Sequence, residues 1–354
     1  MNTEIVGGIL SAPALGNCPQ DRRAAHFLPD PRARHIDPEH IRWEARQDEL
    51  DGYDRSLIHI YSAWADPWLV AGHAATATTR TGLTVAHRPG VVAPTVAARS
   101  FATLDNLSGG RAATHIVIGS SDADVRRDGD FLSKQGRYER AREYLEIFTR
   151  TLTADEPFDY HGSHYQVEDS WAGFRPVQHP HPPISIGGSS PAAKELAAEY
   201  AYAYAGTFPT LDAAHTVTAE VRQLAAQHNR TLRFWKQFFV VLGDTDTEAQ
   251  TTADALRAHG EQLLHERSPE SLRSSAQIAR SSERELQNVD DIRQAAHQHL
   301  RNTFDGLVIG SVERVADYID TYRRAGIDIL QVVALTETDD DRKLRARLVA
   351  ELRR

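Results

Sequence analysis

Short apolar runs alternate with longer amphipathic stretches along most of the chain. The runs predict strands at Glu4–Leu10, Arg55–Tyr61, Thr81–Ala86, Arg111–Ile118, Ile184–Ile186, Ala201–Ala205, Arg233–Leu242 and Ile329–Ala334. Ile329-Leu330-Gln331-Val332-Val333-Ala334 is apolar at nearly every position, as a parallel strand covered by helices requires. Helices are predicted over Pro38–Leu50, Pro94–Leu107, Gly136–Leu152, Pro191–Glu199, Leu211–His228, Asp244–His265 and Val312–Ala325, with one more after Asp66-Pro67 and a polar one at the end of the chain. Asp66-Pro67 joins a capping carboxylate to a proline whose φ already suits a first turn. Ser108-Gly109-Gly110 and Gly326 are glycine stops, and Asp244-Thr245-Asp246-Thr247-Glu248 is a capping pattern.

Repeated strand–helix units predict an α/β fold, a closed (β/α)8 TIM barrel occupying residues 1–354 as a single domain. Three insertions interrupt the rhythm, at about 11–36, 155–182 and 266–305. The second is expected to hold a hairpin, Phe158-Asp159-Tyr160 and His164-Tyr165-Gln166-Val167 around His161-Gly162-Ser163. The third is polar with Ser-Pro and Ser-Ser steps, and is expected to be irregular and to act as a lid. Such barrels carry their sites where strands end and loops begin. The chain has no GxGxxG and no GxxxxGK[ST], so neither a Rossmann nor a P-loop reading has support.

Charge and composition narrow the classes. A net charge of −9 over 354 residues argues against a nucleic-acid or anionic-membrane binder. The single cysteine, Cys18, rules out a disulfide framework or thiolate cluster within one chain. No apolar run approaches the ~20 residues of a membrane span, and the N-terminus lacks the pattern of a signal peptide. A cytoplasmic enzyme is the expectation. His161, His164, His179 and His181 lack helical spacing and an acidic partner, so no metal site is expected. Arg342-Lys343-Leu344-Arg345-Ala346-Arg347 reads as a solvated helix face.

The candidate chemistry lies at strand ends. In Pro183-Ile184-Ser185-Ile186-Gly187-Gly188-Ser189-Ser190-Pro191 a strand runs into two glycines, two serines and a helix-opening proline. Glycines admit a ligand close to the backbone, and hydroxyls with free N–H groups at a helix start suit an anion, here the phosphate of a cofactor. His59, Tyr61 and Trp64 follow strand two, His87 and Arg88 end strand three, and His115 lies in strand four; together they are expected to line one pocket. A histidine there has a pKa suited to general-base work.

The chain resembles the luciferase-like flavin monooxygenases, most closely the alkanesulfonate monooxygenase branch. The resemblance rests on Asp66-Pro67-Trp68-Leu69-Val70-Ala71, Arg88–Arg99, Ala102–Arg111, Gly119-Ser120, Asp128-Gly129-Asp130-Phe131-Leu132, Arg137-Tyr138-Glu139-Arg140, Pro182-Pro183, Gly187-Gly188-Ser189-Ser190 and Lys194–Glu199. It covers 66–200 well and weakens before 55 and after 230. It implies a TIM barrel that takes reduced FMN from a separate NAD(P)H:flavin reductase and uses O2 to oxidise a small organosulfur or alkanesulfonate-like substrate, in a homo-oligomer (dimer or tetramer). It assigns the phosphate to Gly187, Gly188, Ser189, Ser190 and the hydroxyl of Tyr138, and the flavin ring to Gly119 and Ser120. An F420-dependent oxidoreductase and a non-catalytic flavin-binding protein are the alternatives within the same fold. The chain departs from the sulfonate branch in carrying Trp64 for a cysteine, Gln237 and Phe239 for an arginine and a histidine, and His115 for an asparagine. A sulfonate would lose a charge-assisted partner worth roughly 1.5–3 kcal/mol, which Arg88, Lys236 or Arg301 is expected to replace.

Overall fold

A computed structural model describes residues 3–13, 35–119, 121–274, 288–334 and 338–354. The strands, in chain order, are β1 (Glu4–Ile9), β2 (Arg55–Ile58), β3 (Gly82–His87), β4 (Ala112–Val117), β5 (Phe158–His161), β6 (Gln166–Ser170), β7 (Ile184–Gly187), β8 (Ala203–Ala205), β9 (Arg233–Gly243), β10 (Leu307–Ser311) and β11 (Ile329–Ala334). Parallel pairing in the order β11-β1-β2-β3-β4-β7-β8-β9, with β9 returning to β11, closes an eight-stranded barrel. Helices lie between most successive strands, so the (β/α)8 fold expected from the alternating pattern is the one present.

Register decides which side chains look inward. His115 pairs with Ala86 and Ser185, Ser185 with Ala203, and Trp235 with Ala205 and Ile329. Val6, Leu57, Ala86, Ala203, Trp235 and Ile329 form a small cluster with no helical member, which is the barrel interior. Residues of the other parity, such as Ile5, Leu83, Val85, Ile116 and Ile186, join the much larger cluster shared with the helices. At the N-terminal end the interior is closed by charge: Glu4 meets Arg55 and Arg233, each at 2.7 Å.

The insertions depart from expectation in one important respect. The hairpin of the second is present as antiparallel β5 and β6. The third is not irregular throughout: it contains helices Pro269–Ser274 and Val289–Asp305, while 275–287 lie outside the described residues. Ile292, Ala295, Ala296, Leu300 and Phe304 recur at helical spacing and are buried with Leu256 and Leu264 of helix Asp246–Glu266. The many polar residues between them concealed that stripe. β10 was also not foreseen. It pairs Leu307–Ser311 with the distal half of β9, Phe239–Gly243, which explains why β9 is twice the length of most barrel strands.

Candidate active site at the C-terminal mouth of the barrel

The strand–turn–helix segment forms a preorganised cradle. Gly188 has φ +150°, and a Cβ there would stand 2.7 Å from Ala193 Cβ and 3.3 Å from the Tyr138 hydroxyl. Ser190 caps helix Pro191–Tyr200, its Oγ accepting from Ala193 N at 3.3 Å. The same hydroxyl donates to Tyr138 Oη at 3.0 Å, bringing together residues 52 apart in sequence. Tyr204 donates to the Gly188 carbonyl at 2.6 Å and fixes the turn from behind. Ser189 is exposed beside it. The hydroxyls, the capped helix end and the two glycines make a seat whose polarity suits a phosphate. The cradle is therefore compatible with the phosphate-bearing flavin that the family pattern implies.

Inside the mouth, His115 is the central polar group. Its Nδ1 lies 2.9 Å from Ser185 Oγ, and Ser185 donates its own proton to the Thr114 carbonyl at 3.1 Å. A Cβ on residue 187 would stand 2.7 Å from His115 Nε2, so the glycine is what leaves room for that edge of the ring. Burial, reinforced by nearby His59, lowers the pKa of His115 to about 4, and the ring is neutral at ordinary pH. Trp235 packs 5.0 Å from the ring and donates its indole N–H to Gln331 Oε1 at 3.2 Å. Gln237 pairs in register with Gln331 higher up the barrel, and Phe239 stands exposed at the rim. Trp64 packs edge-on to His59 at 6.4 Å.

Other expected site residues lie elsewhere. His87 has outward parity. It sits in the helix layer, where Trp68 donates to Nδ1 at 3.3 Å and Nε2 meets the Tyr144 hydroxyl at 2.6 Å. Both ring nitrogens are committed, and burial lowers its pKa to about 4. Arg88 does face the loops above the barrel, but both ends of its guanidinium are taken, by Asp124 and Asp128 at 2.7 Å each. Lys236 has outward parity and donates to the Phe208 carbonyl over the rings of Phe238 and Tyr322. Arg301 is exposed on helix Val289–Asp305, bonded to Gln298 of its own helix. Gly119 holds φ +88° and its carbonyl accepts from Arg137 at 3.4 Å; Ser120 lies outside the described residues. Ser185, Trp235 and Gln331 went unremarked as site residues. Counting alternate positions inward from His115 and across the neighbouring strands would have found them. Among the described residues no group of three His, Cys, Asp or Glu is placed to hold a metal ion, and no helix is long and apolar enough to cross a membrane.

Comparison with known proteins defines the class. The family model of the luciferase-like monooxygenases matches residues 23–328, and the chain belongs to that family. The fold is similar to that of a long-chain alkane monooxygenase, with a TM-score of 0.78 at 17% identity over 99% of this chain and 91% of the other. It is also similar to EDTA monooxygenase from Chelativorans sp. BNC1, with 0.75 at 19% identity over 99% and 93%. An F420-dependent secondary alcohol dehydrogenase superposes with 0.74 at 15% identity over 100% of both chains. At these identities the likeness is one of fold.

Proposed function

We propose that the protein is a reduced-FMN-dependent monooxygenase that oxidises a small organic substrate with O2, its flavin being reduced by a separate NAD(P)H:flavin reductase. The observation that carries the reading is the Ser190–Tyr138 hydroxyl pair at a capped helix N-terminus beside Gly187 and Gly188, in a chain of the luciferase-like monooxygenase family. Ser189, Ser190, Tyr138 and the helix end hold the phosphate, while Gly119 admits the rest of the cofactor to the mouth. When bound, reduced FMN supplies two electrons, so that one oxygen atom of O2 enters the substrate and the other leaves as water. Trp64, Trp235 and Phe239 give the substrate apolar walls and limit water. His115, neutral and held by Ser185, accepts a hydrogen bond at Nε2.

Replacing both hydroxyls, Ser189→Ala with Ser190→Ala, removes one donor to a dianion and the hydroxyl that positions Tyr138. At roughly 1.5–3 kcal/mol for each charged hydrogen bond, FMN affinity measured by fluorescence titration falls at least about tenfold. Unchanged affinity moves the phosphate elsewhere. The full-length match to the F420-dependent dehydrogenase keeps a second reading in play, hydride transfer on a deazaflavin. Tight binding of F420 with no binding of FMN selects it.

A further inference from the structure

We propose that the mouth selects an uncharged substrate that presents an O–H or N–H donor to Nε2 of His115. The inference rests on the reading of the mouth as the reaction site and adds the chemical class of what enters it.

Hydrogen-bond direction comes first. Ser185 has one hydroxyl proton and gives it to the Thr114 carbonyl, which can only accept. Ser185 Oγ must therefore accept from His115, and the ring's one proton sits on Nδ1. Nε2 is left as a lone pair. It lies along the open edge created by Gly187, where any side chain would collide with it, and it has no donor among the described residues. The lone pair is thus locked as an acceptor, and low affinity for a proton keeps it so.

The surroundings exclude charge. Trp235 packs against the ring at 5.0 Å, Phe239 and Val333 pair in register further towards the rim, and Trp64 packs edge-on to His59 after β2. The cations that might have served an anion are occupied or turned away. Arg88 is spent on two aspartates, Lys236 lies on the outer face of β9, and Arg301 is on an outer helix. A sulfonate or carboxylate entering here would meet a lone pair and aromatic rings, with Arg88, Lys236 and Arg301 all held by other partners. A neutral group with a donor has a smaller desolvation cost, which its bond to Nε2 offsets.

A matched pair of ligands tests this: 1-octanol, neutral with one donor, and 1-octanesulfonate, an anion on the same chain. Each is titrated into the protein with and without FMN, following the ring-nitrogen resonances of 15N-histidine. The expected result is saturable binding of 1-octanol that moves the His115 Nε2 resonance, with 1-octanesulfonate about tenfold or more weaker. Ser185→Ala unlocks the tautomer while keeping the ring, and His115→Phe removes the acceptor while keeping a ring packed against Trp235. Both should shrink the preference at least about threefold. Equal or tighter sulfonate binding, no saturable binding of the alcohol, or an undiminished preference in both variants overturns the proposal. FMN titration of the same samples separates the two readings. Normal flavin binding with a failed preference sinks only this inference. Absent flavin binding sinks the flavin reading, and the flavin-free titration still decides the substrate class.

Discussion

Arg88 shows how a residue at a strand end can be engaged by its own neighbours. Its side chain is 3% exposed and holds Asp124 and Asp128, while Nη1 also donates to Ser62 at 3.2 Å. These bonds tie the end of β3 to the segment after β4, which borders the mouth. Removing one partner of a buried pair leaves the other charge stranded, at a cost of about 3–5 kcal/mol. Arg88→Met is therefore expected to lower the urea unfolding free energy by about that amount. FMN affinity per folded molecule should change little. A stable variant that has lost only ligand binding would show that Arg88 contacts the ligand instead. His87 has the same character. Two saturated ring nitrogens and the stacked Phe148, at 6.3 Å, make it part of the packing between barrel and helices.

At the level of elements, the unit that matters is β7, its turn and helix Pro191–Tyr200. The turn needs glycine twice, for different reasons. Gly187 leaves space for the His115 ring, whereas Gly188 adopts a φ of +150° that other residues rarely hold. Gly188→Ala should push Ala193 and Tyr138 away from Ser190. FMN affinity is expected to fall about tenfold or more, with a loss of about 1–3 kcal/mol in stability from backbone strain. Retained affinity in equilibrium dialysis would mean that the turn is not the phosphate seat. Helix Val289–Asp305 illustrates the opposite case. It is held by an apolar stripe on helix Asp246–Glu266 and by its Asn288 cap, so this part of the third insertion is packed structure.

Across the whole molecule, buried titratable groups set the response to pH. The folded-state pKa of His115 is lowered from 6.5 to about 4, so its contribution is fully present above pH 6.5 and is lost as pH falls towards 4. The difference corresponds to about 3 kcal/mol at most. Asp48, pushed by burial to about 7 against the pull of Arg345 and Ser56, works in the other direction, its contribution being lost as pH rises through 7. Comparing wild type with His115→Phe cancels Asp48. Between pH 6.5 and 4 the wild type should lose more unfolding free energy than the variant, and parallel curves would place the histidine in solvent. The alternating pattern in the sequence determined the barrel, most element boundaries, and the cradle at Gly187–Ser190, because strand–helix punctuation and capping act over a few neighbouring residues. It also placed His59 and Trp64 after β2 and His115 within β4, because strand ends are local. Only the tertiary structure decided which strand-end residues face inward, since register between strands separates His115 from His87. It alone showed that Asp124 and Asp128 consume Arg88, that Tyr138 reaches Ser190, and that Ser185 meets the ring of His115. These are meetings between residues far apart in the chain, and barrel closure, not any local propensity, creates them.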